Sequence, residues 1–373
     1  MALFTLCIFR VFMEIAASLS LSSAFIDNEG SYWYCGSKAQ GLNASKTFYK
    51  PFAEILDLPR FTKCSSKYTH SLLLDEKQHV WSFGDNINGE LGTGENSEKR
   101  GLTQITDLPK IRTMFAGYNN SFFISNEGEV FANGYNRNHE LGLPNYDPKI
   151  PVKIEGIPPM QSVSAAQNHT LLLDCEGHVW SAGKNSHGQL GLGDNFITPL
   201  VFSKIGGIPE IRSVHAGLGF SVLLDFNGYM WAFGKSSTFP LSNSPSIVDP
   251  GIPDLPKVAI VEAGIKSILF VDEAGDTWAI GDNAHYQLGI RSEGAPVTVF
   301  TKVDGIMGIT RNISTTHHTL FLDKNGTLLA CGKNGQGELG LGDLSSREMP
   351  EVVPNIPKIG APITHTKSAR KVV

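Results

Sequence analysis

The sequence predicts an all-β chain, a seven-bladed β-propeller of four-stranded antiparallel blades, and three observations carry that prediction. A glycine recurs at Gly36, Gly84, Gly134, Gly183, Gly234, Gly281 and Gly332, in steps of 47 to 51 residues. Nine residues before each stands Asp27, Asp75, Ser125, Asp174, Asp225, Asp272 or Asp323. No stretch sustains a helical period, and a proline marks the handover between most units: Pro59, Pro109, Pro158, Pro209, Pro256 and Pro357, with Met307 in the sixth place. Self-similarity near fifty residues signals units that bury their apolar faces only against neighbours. Closing seven of them into a ring removes the open ends.

Each unit reads as four strands. Strand A, typified by IRSV at 211–214, alternates apolar and polar residues as a half-buried strand does. Strand B, typified by HTLLLD at 169–174, is a continuous apolar run, the pattern of a strand covered on both faces. The DxxG that follows sets Gly30, Gly128, Gly177, Gly228, Gly275 and Gly326 at a tight hairpin, with Gln78 the exception. Strand C, typified by HVWSAG at 178–183, ends on the recurrent glycine. Three residues before that glycine come Trp33, Trp81, Trp180, Trp231 and Trp278, with Phe131 and Leu329 in the other two units. These five are all the tryptophans of the chain, so packing between neighbouring sheets is expected of them. Strand D is the short segment around Pro151 or Pro350. The propeller is expected over residues 13–366, with repeat cores starting near 22, 70, 120, 169, 220, 267 and 318, an extension at 1–12 and a tail at 367–373. By column both 11–18 and 359–364 read as a strand A, and only one completes the first blade. The segment 359–364, after the retained Ile356-Pro357 signature, is expected to close the ring, leaving the first dozen residues peripheral, with pairing of 13–17 there as the alternative.

Composition narrows the function classes. The 373 residues hold 31 Lys and Arg against 36 Asp and Glu, a net charge of -5, so no global positive field draws in nucleic acid or an anionic membrane. Five cysteines without a CxxC pair make neither a disulfide framework nor a zinc site. The apolar opening lacks a basic leader and is broken by Arg10 and Glu14, which argues against a signal peptide; a cytoplasmic or nuclear protein is expected.

Several motifs imitate chemistry. His70, His169 and His318 are each followed by Ser or Thr, with an aspartate five residues on, yet the set recurs in separate units. Recurrence points to a shared structural role, with imidazole and hydroxyl bonding backbone at the A–B turn. Asn86, Asn136, Asn185, Asn283 and Asn334 are expected to form Asx-turns. The glycine string at 335–342 lacks both the GK[ST] ending and the strand-to-helix context of a phosphate loop. No catalytic residue, cofactor or metal ligand is therefore expected.

The string GxVWxxGxNxxGQLGxG, the HT or HS opening of strand B, and the preceding turn at Ala216-Gly217 and Ala263-Gly264 resemble repeats of the regulator of chromosome condensation (RCC1) family, over about residues 11 to 365. Two units depart: the first reads GSKAQGLN, and the fifth replaces the motif by SSTFPLSN at 236–243. The resemblance implies a non-catalytic, monomeric propeller that acts as a protein–protein interaction or regulatory scaffold. It implies as an alternative a guanine nucleotide exchange factor for a Ran-like small GTPase. A recruiting arm for a ubiquitin-ligase or signalling assembly is the third reading. Against exchange, the A–B loops hold no Asp or Glu, the even spacing leaves no room for a long blade insertion, and residues 1–13 carry only Arg10 where the family's founder has a basic tail. Partner contacts are expected in the A–B loops, at Lys67, Tyr68, Tyr118, Asn119, Gln167, Asn168, Leu218, Phe220, Lys266 and His317, because loops on a rigid scaffold carry recognition.

Overall fold

A computed structural model describes residues 15–18, 22–37, 48–144, 146–193, 198–357 and 359, and every regular element among them is a strand. The strands form seven four-stranded sheets, each in the chain order A–B–C–D. Blade 4 shows the plan: A is Met160–Ala165, B His169–Asp174, C Val179–Gly183 and D Ser203–Lys204, all paired antiparallel.

Strand B is apolar throughout because each sheet stands between two neighbours. Leu172 packs with Phe122 and Met160 toward blade 3, while Leu171 and Leu173 pack with Val214, Leu223 and Phe233 of blade 5. One such cluster fills each of the seven junctions. The tryptophans lie at the edges of these clusters, half-buried, and each also donates a hydrogen bond. Trp180 Nε1 gives its proton to Asp174 Oδ2 at 3.1 Å, while Asp174 Oδ1 takes the N–H groups of Glu176 and His178 across the hairpin. Trp33, Trp81, Trp231 and Trp278 bond Asp27, Asp75, Asp225 and Asp272 in the same way. Burial alone pushes the Asp174 carboxyl up, but the His178 N–H and the indole N–H outweigh it and hold the group below its ordinary range. Where the indole is replaced by Phe131, the aspartate is replaced by Ser125, whose hydroxyl still caps the hairpin N–H groups of Glu127 and Glu129 at 3.2 Å.

The recurrent glycine has a steric cause. Gly183 sits at φ 112°, and a Cβ there would stand 2.5 Å from the carbonyl oxygen of Asn168, where the A–B loop crosses strand C. Gln78 keeps the hairpin shape that glycine provides elsewhere, adopting φ 64°.

Closure differs from the sequence expectation. The inner strand of blade 1 is Ile15–Ser18, paired antiparallel with Ser22–Ile26, so the N-terminal side supplies it. Ile359 begins the inner edge: its N–H bonds the Gly326 carbonyl at 3.0 Å, as Ile211 N–H bonds Gly177 at 2.8 Å, and it is buried in the seam cluster with Ile15 and Phe25. The reason is geometric. Ile359, two residues past the Ile356-Pro357 turn, reaches the seam, and the apolar Ile15–Ala17 run fills inner positions of blade 1. Residues 360–364, like the expected extension and tail, lie outside the described residues. Among the described residues no strand is shared between blades 7 and 1, and the seam is held by its side-chain cluster, the Ile359–Gly326 backbone bond and an isolated antiparallel bridge between Pro51 and Leu341. In blade 5, the departing 236–243 segment brings in Phe239, which packs edge-on against Phe220 at 5.5 Å.

Candidate functional site

Because strands alternate in direction, the A–B and C–D connections open on one face of the ring, and the B–C hairpins and D–A connections open on the other. The inner strands of all seven blades line a central channel of about 710 Å³.

The recurrent polar residues are consumed in joining blades. His70 Nε2 meets Ser121 Oγ at 3.0 Å, His169 meets Ser221 at 2.9 Å, and His318 meets Ser23 at 2.9 Å, each serine lying on the next blade. Those hydroxyls donate their single proton to the carbonyls of Glu90, Gln189 and Glu338. They must therefore accept from the imidazole, which fixes the Nε2–H tautomer. Burial drives the three histidines down to about 4 for His70 and about 3 for His169 and His318, so they stay neutral. The expectation that they bond backbone at their own A–B turn is corrected: Nε2 of each faces strand B of the next blade, and at its own turn His318 Nδ1 meets the Thr315 hydroxyl at 3.2 Å. The third of these latches closes the ring.

The asparagine column also differs from expectation. Asn185 Oδ1 accepts the N–H of Leu190 at 3.0 Å, five residues ahead, and Asn86, Asn136, Asn283 and Asn334 do likewise with Leu91, Leu141, Leu288 and Leu339. These buried amides staple a whole loop, a longer reach than an Asx-turn.

Glu90, Glu140 and Glu338 are buried at positions where blades 4 and 6 have Gln189 and Gln287. One side-chain oxygen in each case accepts a backbone N–H two residues back: Asn88, Asn138 and Gln336 for the carboxylates, His187 and His285 for the amides. Burial drives the Glu140 carboxyl up to about 7.

What does not recur lies on the A–B face. Tyr68 and Tyr118 stack with ring centroids 3.9 Å apart and planes 17° apart, and Tyr68 holds a left-handed φ of 51°. A bulky residue in that conformation is strained by about 1 kcal/mol or more. Burial, with Tyr68 adding to it, pushes the Tyr118 phenol up to about 12. His285 and His317 lie 4.9 Å apart on the same face, and burial and the other imidazole both lower His317. Asn119, Asn168 and Leu218 are part-buried there, whereas Gln167 and Lys266 are exposed. Asn168 Oδ1 accepts from Asn138 Nδ2 at 3.3 Å, and Leu218 N–H bonds Ile265 of the next loop at 2.9 Å. Phe220 is corrected: at 1% exposure it is the first residue of strand B, folded over Gly217 into the core, and presents nothing to a partner. Lys67 points into the channel, where Nζ donates to the Ala165 carbonyl of blade 4 at 2.9 Å. The sequence reading missed the channel's other charged and titratable residues, Lys63, Arg212, His215, Glu262 and Arg311; Lys63, His215, Glu262 and Arg311 leave a trace, since they interrupt the Ser and Thr of strand A's inward positions.

This geometry defines a class: a closed seven-bladed propeller with one loop face bearing non-recurrent aromatic and basic residues. Residues 127–173 and 176–224 match the model of the regulator of chromosome condensation (RCC1) repeat, and residues 161–189 match a second form of the same repeat, so the chain carries RCC1 repeats there. Prp20p from Saccharomyces cerevisiae, studied for its binding to Gsp1p and histones, has a similar structure, with a TM-score of 0.76 at 22% identity over 89% of this chain and 88% of that one. A structure of yeast RCC1 (Prp20) bound to Kap60 gives the same TM-score and identity over 88% and 85%. Human WBSCR16 aligns with a TM-score of 0.61 at 18% identity, covering 94% of this chain and 83% of that one. No curated protein matches the sequence closely enough to count as a relative.

Proposed function

We propose that the chain is a non-catalytic scaffold that binds a protein partner through its A–B face. The observation that carries this reading is the division of labour between residues. The recurrent His, Asp, Asn and Trp side chains are spent on hydrogen bonds within and between blades. The Tyr68–Tyr118 stack has no counterpart among the described residues of the other blades and remains half-exposed, at a backbone cost, on the face that also carries Asn119 and Gln167. Aromatic side chains among small polar ones suit a protein interface. Quantitative affinity capture tests it: Tyr68→Ala with Tyr118→Ala is expected to lose partners that the wild-type protein and Phe226→Ala, on the opposite face, both retain. Retention by the double variant would remove the A–B face from the account.

A second reading, exchange activity on a Ran-like small GTPase, is favoured by the similarity in fold to Prp20p, a protein that binds Gsp1p. An exchange factor works by stabilising the nucleotide-free GTPase. Release of mant-GDP decides between the two readings. No acceleration at catalytic amounts of the protein is expected for a scaffold, and acceleration would establish the exchange factor.

A further inference from the structure

We propose that the A–B mouth of the central channel binds a small free oxyanion, a phosphate or a carboxylate, through Lys67. The first observation is the residue's place. Lys67 occupies the turn position that holds Gly117, Ala166, Gly217, Gly264 and Thr315 in other blades. Those residues are small because the first residue of strand B folds back over the turn: a Cβ at Gly217 would meet the Phe220 ring at 2.2 Å. The blade plan thus calls for a small residue here, and a long cationic one answers no packing need. In blade 2, strand A runs on through Lys67, which pairs with His70 and sends its side chain across the channel.

The second observation is the balance of charge. Among the described residues lining the channel, Glu262 is the one acid, whereas Lys63, Lys67, Arg212 and Arg311 are cations. Glu262 is itself engaged, with His215 Nδ1 3.2 Å from its Oε2. Lys63 and Arg311 have partners of their own, so among the described lining residues the excess positive charge rests with Lys67 and Arg212, inside a chain of net charge -5. A concave site with low-dielectric walls and one sign of charge concentrates the opposite ion.

The third is a supply of directed donors. The Lys67 ammonium has three protons, and the Ala165 carbonyl is its one hydrogen-bond acceptor among the described residues. One level below, Ser65 Oγ accepts the Ala116 N–H, and on blade 4 Ser164 Oγ accepts the Ala216 N–H, both at 2.9 Å. Among the described residues neither hydroxyl proton has an acceptor, and both serines line the channel. Burial lowers Lys67 from its ordinary range, with Glu262 pulling the other way; an anion beside the ammonium relieves that penalty. The volume of about 710 Å³ suits a phosphate or a small polycarboxylate with its water. This inference is independent of the scaffold reading.

The experiment follows thermal unfolding of the full chain titrated with inorganic phosphate or citrate, against sodium chloride at matched ionic strength. At least one of the two anions is expected to raise the midpoint beyond chloride, and the arm that responds identifies the headgroup. Lys67→Met is expected to weaken the response about tenfold or more, Lys67→Arg to keep it, and Glu262→Gln to strengthen it. Lys266→Met, on the exposed rim, should respond as wild type does. If Lys67 only staples blades 2 and 4, Lys67→Met lowers the midpoint in chloride but keeps the full anion response, and the proposal fails. Failure of both anions to act beyond chloride overturns it equally.

Discussion

Replacing Glu140 by Gln should stabilise the protein at alkaline pH and do much less in acid. The carboxyl is fully buried, one oxygen takes the Asn138 N–H at 2.8 Å, and the charge of Asp147 adds to the burial that lifts it to about 7. Its unfolded value is near 4.5. A carboxyl raised on folding binds its proton more tightly in the native state, so stability is greatest below the unfolded value and is lost as pH rises through about 7. The full difference of about 2.5 units corresponds to about 3 kcal/mol at pH 8 and about 1 kcal/mol at pH 5. Gln189 and Gln287 already accept the equivalent N–H at 2.8 and 2.9 Å, so the amide retains the useful bond and removes the charge. With an unfolding entropy of about 2 cal/mol/K per residue, the gain in midpoint is about 4 °C at pH 8 and about 1 °C at pH 5. Scanning calorimetry of both proteins at the two pH values measures it. An equal gain at both, or none at pH 8, would refute the reasoning.

Two further predictions concern the blade junctions. Ser23→Ala leaves the His318 Nε2–H unpaired and the Glu338 carbonyl with only the weaker Cys35 thiol as donor among the described residues, and should cost about 1–3 kcal/mol in denaturant unfolding, matching Ser121→Ala and Ser221→Ala at the other junctions; a negligible cost for Ser23→Ala alone would show the seam to be built differently. His169 falls on folding from 6.5 to about 3, so its stabilising contribution is lost as pH drops below 6.5, and His169→Asn, the residue blade 3 carries as Asn120, should flatten that acid limb of a midpoint-against-pH profile.

The blades were legible because one backbone constraint repeated seven times selects one residue type at one phase. The crossing of the A–B loop over strand C admits glycine at Gly183, and a sheet covered on both sides demands the apolar run at 171–173. What joins the blades was not legible. His169 bonds Ser221, 52 residues on, whereas the chain shows only the Thr170 beside it. The registry between units leaves no local pattern, and two segments fit the column of the closing strand, of which the Ile356-Pro357 turn signature favoured the one that follows it over Ile15–Ser18. The A–B loops were found by position, but the direction of each side chain depends on the ring. Phe220 turns inward to the core and Lys67 to the channel, and sequence spacing alone does not distinguish either from Tyr68.

The central claim is a ring whose seam between blades 7 and 1 is as tight as its other junctions, though no strand among the described residues crosses it. Residue-resolved hydrogen exchange of the native protein tests it by comparing the buried strands beside the seam, Ser22–Ile26 and His318–Asp323, with His169–Asp174 and Phe220–Asp225 at the junction of blades 4 and 5. Protection of the two pairs within about tenfold of each other is the predicted result. Amides at the seam exchanging a thousandfold faster, while the interior junction stays protected, would mean an open ring and contradict the account.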